Sequence, residues 1–312
     1  MEHLKDLRKP RKSCSEKGLN NLYISSLSST KTKVCDSVLD LVQLGFRNIE
    51  LTGGTQYYEG LEVDLVNLKQ GHGINYLIHN YFPPPKEDFI LNLASSAPDL
   101  KDKTVELIAN ATRLAEKLES NLYTVHPGFT RDLLPEKDGI FFRAINSNGS
   151  NKNIKEDFYR GMDFLLYEVL RQDFKIGIEN LFPINTSERY SFIVSPDEIF
   201  EFFDYYKDRP NVGLLLDLGH LNLASKTLGF NKLNALEEIF TKYTNKIFGI
   251  HVSENDGTTD SHDVSSCESW QIEYLCQRID RLKEVPIVME WHNKASKQAH
   301  RTFEKIREKL KR

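Results

Sequence analysis

Short apolar segments alternate along the chain with longer segments whose apolar residues recur at helical spacing. The first short segment is Asn21–Ser26. It is followed by Lys33–Leu44, where apolar residues fall every three or four positions up to Gly45. The next segment, Asn48–Leu51, is again short and apolar. The pattern predicts a strand, a helix that ends at Gly45, and a second strand.

The same alternation continues to the C-terminus and predicts eight strands and eight helices. The remaining strands are predicted at Ile74–His79, Asn121–His126, Lys175–Glu179, Val212–Asp217, Ile247–His251 and Pro286–Glu290. The remaining helices are predicted at Leu61–Gln70, Asp99–Leu118, Lys155–Gln172, Pro196–Tyr206, Lys232–Tyr243, Trp270–Leu282 and about Ala295–Arg312. Ser195 is expected to cap the helix that starts at Pro196.

This order of elements is typical of an α/β protein with a closed (β/α)8 TIM barrel. The predicted strands are short, apolar and rich in β-branched residues, as expected where helices cover a parallel sheet. An open doubly wound sheet is the competing fold. It usually carries a glycine-rich phosphate turn after the first strand, whereas this chain has SLSSTKTK there. We therefore expect a single barrel domain over residues 21–312.

The composition limits which classes of molecule the protein is expected to bind. The chain carries a net charge of −4 and 39% hydrophobic residues, which gives no general attraction to nucleic acid or membranes. No apolar run reaches the roughly 18 residues of a membrane span.

Residues 1–20 are polar and basic, and we expect a loosely ordered tail, with a nucleic-acid-binding arm as the alternative. Four scattered cysteines indicate free thiols in a reducing, cytoplasmic compartment. The oligomeric state stays open.

Side chains that can bind metals end six successive predicted strands. They are His79, His126, Glu179, Asp217, His251 and Glu290, and three more follow in the adjoining loops, at His220, Asp260 and His262. A single histidine at a strand end is more often structural, but in a barrel all six strand ends converge on one mouth. Clustered buried carboxylates are costly unless a cation compensates them. Imidazole and carboxylate ligands without thiolates suit zinc, manganese, iron or cobalt.

Several short motifs recur here in a characteristic order. They are IHNYF with FILNLAS, TVHPG, GIENL, LLLDLGH, GIHVSENDGTTDSH and VMEW. Together they resemble the xylose isomerase-like barrel superfamily, which includes endonuclease IV and many sugar or sugar-phosphate isomerases and epimerases. The resemblance extends over about Asn21–Lys294.

The resemblance implies three groups of metal ligands. Glu179, Asp217, His251 and Glu290 match the four ligands that the epimerases and the endonuclease share. His79 and His126, with Glu179 as a bridge, match the second metal of the endonuclease, and His220, Asp260 and His262 match its third. The expected cofactor is therefore a divalent metal such as zinc or manganese, in one to three copies.

Two enzymatic functions fit this ligand set. The first is a metal-dependent isomerase or epimerase of a sugar or sugar phosphate, in which Glu179 and Glu290 exchange the proton beside a metal-polarised carbonyl. The alternative is an endonuclease IV-like phosphodiesterase acting on abasic DNA. The segment ELTGGTQYYEG resembles the sugar isomerases, and no counterpart to the DNA-penetrating loop of the endonuclease is found. Pro83–Phe89 also interrupts what would otherwise be an HxxYxINL-like motif. A small carbohydrate is therefore the preferred substrate, and a non-enzymatic metal-binding role ranks third.

Overall fold

Eight parallel strands close into a barrel in the computed structural model, which describes residues 21–135, 142–144, 153–184 and 190–311. The strands of the described residues are β1 (Leu22–Ser25), β2 (Asn48–Leu51), β3 (Asn75–His79), β4 (Leu122–Val125), β5 (Leu133–Pro135), β6 (Phe142–Ala144), β7 (Lys175–Glu179), β8 (Val212–Asp217), β9 (Ile247–Val252) and β10 (Ile287–Met289). Around the barrel the order is β1, β2, β3, β4, β7, β8, β9 and β10, and β10 closes on β1. The predicted (β/α)8 TIM barrel is confirmed.

Helices follow the strands and cover the outside of the barrel. They are α1 (Val34–Leu44), α2 (Leu61–His72), α3 (Pro98–Lys117), α4 (Ile154–Phe164), α5 (Pro196–Tyr205), α6 (Leu218–Leu228), α7 (Lys232–Tyr243), α8 (Trp270–Cys276) and α9 (Lys297–Leu310). Gly45 ends α1 in the left-handed conformation, with φ of 110°, and Ser195 caps α5 by accepting a hydrogen bond from Glu198 N. Both sequence predictions are confirmed. No described helix has the length and hydropathy needed to cross a bilayer.

Strand alternation divides the buried residues into two layers. Residues such as Ile49, Ile78 and Ile178 belong to the large apolar cluster that also contains the helix residues. Their strand neighbours face the barrel interior, because successive side chains of a strand point to opposite faces. A separate apolar cluster of Leu77, Leu122, Phe248 and Val288 fills part of that interior. The interior residues nearer the carboxyl ends of the strands are polar.

An irregularity in β9 changes which residues face inward. Leu214 pairs with Ile247, but the next residue of β8, Leu215, pairs with Gly249. Phe248 is therefore an extra residue, a β-bulge, and it shifts the alternation of the strand by one position. As a result Phe248 and His251, three residues apart, both face the interior.

Helix α6 is absent from the sequence prediction, which has a single helix after the sixth strand. It begins directly after β8, and residues 218–225 are all buried. A helix that is buried on every side has no polar face, so it lacks the periodicity that marks an amphipathic helix. This helix positions His220, because Asp217 is its N-cap and His220 lies in its first turn.

Smaller differences occur at three other places. The predicted helix Lys155–Gln172 becomes α4 followed by a π-helical turn at Leu165–Val169. The predicted helix Trp270–Leu282 ends earlier, with α8, and a 3-10 turn follows at Ile279–Arg281. The antiparallel pair of β5 and β6 lies where the pattern indicates only a loop. The predicted tail, residues 1–20, lies outside the described residues.

Candidate metal centre

The polar residues at the strand ends share the interior face of the barrel. Glu179, Asp217 and Glu290 each follow a residue of the outer apolar layer, namely Ile178, Leu216 and Met289. Alternation therefore turns all three carboxylates inward at the same mouth. Glu179 and Asp217 are fully buried, and Glu290 is 6% exposed.

Four of these residues form the most enclosed group. Ligand atoms of Glu179, Asp217, His251 and Glu290 all lie within 4.8 Å of one another. His251 Nδ1 is 3.0 Å from Glu290 Oε2, 3.6 Å from Asp217 Oδ2 and 3.8 Å from Glu179 Oε1. One imidazole nitrogen thus faces three carboxylates, an arrangement of donors that suits a single divalent cation.

A second group shares Glu179 with the first. Nε2 of His79 and Nε2 of His126 lie 3.4 and 3.2 Å from Glu179 Oε2. The other oxygen, Oε1, is 3.1 Å from Nδ1 of His220. Glu179 therefore faces imidazoles with both oxygens and joins this group to the others.

A third group lies on the loop after β9 and the first turn of α6. Asp260 Oδ2 is 3.3 Å from His220 Nε2 and 2.9 Å from His262 Nε2. His262 has a left-handed backbone, with φ of 45°, a conformation that costs free energy and recurs at functional sites. Paired backbone hydrogen bonds between Glu254 and Asp263 hold this turn. The structure thus brings all nine sequence-predicted ligand candidates together in three adjoining groups.

The donors in this mouth fit a divalent cation. Both oxygens of Glu179, Asp217 Oδ2 and Asp260 Oδ1 are buried and accept no hydrogen bond from any residue that the structure describes. Buried polar atoms rarely remain unsatisfied, and an ion is one explanation where they do. Two atoms bound tetrahedrally to one zinc at about 2.0–2.1 Å lie roughly 3.3–3.4 Å apart. The distances from Glu179 Oε2 to the nitrogens of His79 and His126, 3.4 and 3.2 Å, are close to this separation.

The electrostatics of the group are dominated by burial and close carboxylates. Burial lowers the pKa of His79 to about 3, which keeps this imidazole neutral and able to bind a metal. Burial also lowers the pKa of His251, but Glu50 and Glu290 outweigh it and hold that pKa well above its usual value. The carboxylates therefore make a field that favours positive charge in this mouth, whether on an imidazole or on a cation.

Two residues of the mouth are missing from the predicted ligand set. Glu50 is 1% exposed, and its Oε1 lies 3.0 Å from His251 Nε2. The sequence carried a signal for it, because Ile49 and Leu51 belong to the outer layer and Glu50 must then face inward. His292, two residues after Glu290 in the sequence, stacks on His262 with ring centroids 3.7 Å apart.

A cleft of about 880 Å³ opens above the second and third groups. His126, His220 and Asp260 contribute to its lining. The other lining residues include five aromatic side chains, those of Tyr57, Tyr81, Phe89, Phe129 and Phe182. Lys86 is the one lysine or arginine among the described lining residues. The cleft therefore offers broad apolar faces beside the candidate ligands.

Comparisons with known proteins agree with this architecture. The sequence matches the family described as xylose isomerase-like TIM barrel over residues 38–312. An uncharacterized protein of Methanocaldococcus jannaschii, MJ1311, is 24% identical over 293 residues, which cover 91% of this chain and 85% of that protein.

Solved structures share the fold at lower identity. A xylose isomerase domain protein from Alicyclobacillus acidocaldarius superposes with a TM-score of 0.65 at 15% identity, covering 94% of this chain and 99% of its own. Endonuclease IV from Thermus thermophilus superposes with a TM-score of 0.59 at 16% identity, covering 93% of this chain and 98% of its own. A D-allulose 3-epimerase from Methylomonas, solved with D-allulose, superposes with a TM-score of 0.60 at 14% identity, covering 93% of this chain and 96% of its own. Proteins of this fold thus include both sugar epimerases and an endonuclease.

Proposed function

Since the chain belongs to the xylose isomerase-like TIM barrel family, we propose that it is a divalent-metal-dependent isomerase or epimerase of a carbohydrate. The observation that carries the proposal is the group formed by Glu179, Asp217, His251 and Glu290, whose ligand atoms lie within 4.8 Å of one another at the barrel mouth. These four residues would hold the cation, which we expect to be zinc or manganese.

We assign proton transfer to two carboxylates of this group. A bound divalent cation supplies a Lewis acid that polarises a substrate carbonyl and acidifies the adjacent C–H bond. Oε2 of Glu290 lies 3.0 Å from His251 Nδ1, but its Oε1 lies 3.7 Å from Nε2 of His292. Both oxygens of Glu179, in contrast, lie 3.1–3.4 Å from imidazole nitrogens. We therefore assign removal of the proton to Glu290. Glu179, on a strand that β8 and β9 separate from β10, returns it.

The cleft favours a small polyhydroxylated substrate. Aromatic faces pack against the apolar face of a sugar ring, and they need no charge on the ligand. Tyr81 also keeps a polar atom in the cleft wall, since its hydroxyl accepts a hydrogen bond from Leu91 N at 2.7 Å and retains its own proton as a donor. Duplex DNA asks instead for many cationic contacts spread along phosphates, and Lys86 is the single such side chain in the described lining.

One observation favours a second candidate, a metal-dependent phosphodiesterase. The groups His79–His126–Glu179 and His220–Asp260–His262 adjoin the first and supply donors for further cations. Proton transfer beside a carbonyl asks for one cation, whereas phosphate ester cleavage commonly uses two or more that stabilise the attacking and leaving oxygens. This candidate is the endonuclease IV-like activity on abasic DNA.

A paired assay separates the two candidates. Protein loaded with Mn²⁺ or Zn²⁺ is incubated in deuterated water with a panel of ketoses and ketose phosphates, and in parallel with a labelled duplex containing an abasic site. We expect deuterium incorporation into a sugar, and its loss in Glu290→Gln, because the amide cannot accept the proton. Efficient nicking of the duplex without exchange into any sugar would reverse the order of the candidates.

A further inference from the structure

Glu50 is a buried carboxylate outside the predicted ligand groups. It lies in β2 on the interior face, between Ile49 and Leu51 of the outer layer, and is 1% exposed. Its Oε1 and Oε2 lie 3.0 and 3.2 Å from Nε2 of His251. A buried carboxylate is costly unless a partner compensates it, and His251 lies within hydrogen-bond distance of Glu50 as such a partner.

The two nitrogens of His251 face different partners. Nε2 faces Glu50, and Nδ1 faces Glu290 and the other carboxylates of the candidate metal group. The ring itself is fully buried, so Nε2 is not exposed to bulk solvent in this structure and Glu50 is the carboxylate that it faces.

We propose that Glu50 is a positioning residue that accepts a hydrogen bond from Nε2–H of His251 and so presents the unprotonated Nδ1 to the cation. A neutral imidazole carries one proton, and the hydrogen bond at one nitrogen decides which nitrogen is free to bind a metal. Without Glu50 the proton could occupy Nδ1 and block the group of Glu179, Asp217 and Glu290. The inference rests on the metal group of the proposed function, but it does not depend on the substrate.

Zinc titration by calorimetry tests this role in the full chain. Glu50→Ala removes the acceptor, and Glu50→Gln keeps an amide oxygen of similar shape but loses the charge. Removing such a partner of a metal-bound histidine typically lowers metal affinity about 10- to 100-fold. We expect that loss for Glu50→Ala and a smaller one for Glu50→Gln. Glu268→Gln is the matched control, because Glu268 is an exposed carboxylate on the loop after β9. The zinc affinity of this variant should equal that of the wild type.

A spectroscopic readout distinguishes positioning from general structural support. In zinc-loaded protein labelled with ¹⁵N-histidine, His251 should show a protonated Nε2 whose hydrogen exchanges slowly with water. That signal should lose its protection in Glu50→Ala and remain in Glu268→Gln. A loss of stability alone would not change which nitrogen carries the proton.

The inference would be overturned if both Glu50 variants bound zinc within about twofold of the wild type, outside the range expected for such a partner, and kept the protected Nε2 proton. Should Glu50→Ala fail to fold, Glu50→Gln decides the question by the same two measurements. If zinc affinity depends on Glu50 but no sugar exchanges deuterium, the inference stands and the proposed isomerase is rejected.

Discussion

Glu179 has the largest number of imidazole contacts among the carboxylates of the mouth. Nitrogens of His79, His126 and His220 lie within 3.4 Å of its oxygens, and it is fully buried. Two candidate metal groups share it. These contacts make Glu179 the residue whose loss should affect the centre most.

We expect Glu179→Ala to lose most of the bound metal and of the activity, because it removes a donor from two groups at once. Elemental analysis of the protein after gentle purification measures the metal. His300→Ala is the control, since His300 lies on α9 and packs against Phe46, away from the mouth. The metal content of this variant should match that of the wild type. Full metal content in Glu179→Ala would contradict the assignment of this carboxylate as a ligand.

His126→Ala separates the two candidate functions at the level of one side chain. His126 belongs to the second group and not to the group of Glu179, Asp217, His251 and Glu290. If proton transfer uses that four-residue group, exchange of deuterium should persist in the variant, lowered by no more than about 10–100-fold, because that is the typical effect of losing a residue that supports a metal ligand. If the protein is a phosphodiesterase with several cations, loss of His126 should abolish nicking. Complete loss of sugar exchange in His126→Ala would count against the single-cation mechanism.

Much of the mouth could be predicted from the sequence at this scale. His79, Glu179 and Asp217 end their strands, and the barrel then brings them together. Glu50 is absent from the predicted ligand set because it lies one residue before the end of β2, and the prediction used residues at the ends of strands and in the loops that follow them. The pairing of His292 with His262 depends on loop conformations that a strand pattern does not contain.

At the scale of elements, the junction of β8 and α6 combines structure and chemistry. Asp217 is the last residue of β8, and its Oδ1 accepts a hydrogen bond from His220 N at 2.6 Å. The same side chain supplies Oδ2 to the candidate metal group. Helix capping and the proposed metal binding would thus use different oxygens of one carboxylate.

This division predicts different effects for two substitutions. Asparagine caps helices about as well as aspartate, whereas alanine costs about 0.5–2 kcal/mol. In the presence of a chelator we expect Asp217→Ala to lower the free energy of unfolding by about that amount, and Asp217→Asn to stay closer to the wild type. Both should bind metal more weakly, because the charge is lost. Urea unfolding and zinc titration measure the two effects.

Ser195→Ala is the control for the junction, because Ser195 caps α5 without any part in the mouth. It should lose stability by a similar amount and keep its metal affinity. Equal stability of the two Asp217 variants, with chelator present, would contradict the capping role.

Another close contact joins α4 to the segment that follows β3. A Cβ added at Gly161 of α4 would overlap the carbonyl oxygen of Leu93, in the segment that follows β3. Alanine normally favours a helix over glycine by about 1 kcal/mol. Here we expect Gly161→Ala to destabilise instead, by about 1–3 kcal/mol, as overpacking does. Gly71→Ala is the matched control in α2, where an added Cβ meets nothing within 4 Å, and it should stabilise. Thermal unfolding measures both, and a stabilised Gly161→Ala would show that this contact is loose.

Elements differ in how well the sequence predicts them. Strands and helices with one apolar face were found, because their periodicity reports which side is buried. Helix α6 was not, since residues 218–225 are buried all round. The bulge at Phe248 was also invisible, because it depends on pairing with β8 and not on the residues of β9 alone.

For the whole molecule, the fold places two environments inside one barrel. Leu77, Leu122, Phe248 and Val288 form the apolar cluster of the interior, while carboxylates and imidazoles occupy the mouth. The apolar part stabilises the barrel, and the mouth concentrates charge that only a cation or bound protons can balance. The proposed function therefore requires a cation at this mouth.

Anomalous X-ray scattering at the zinc edge, from crystals grown with Zn²⁺, tests that claim most directly. We predict a peak bounded by Glu179, Asp217, His251 and Glu290, with ligand distances of about 2.0–2.3 Å. In Glu179→Ala the peak should weaken or vanish. The absence of a peak at these four residues in the zinc-grown wild type, with zinc bound elsewhere, would contradict the proposed metal centre.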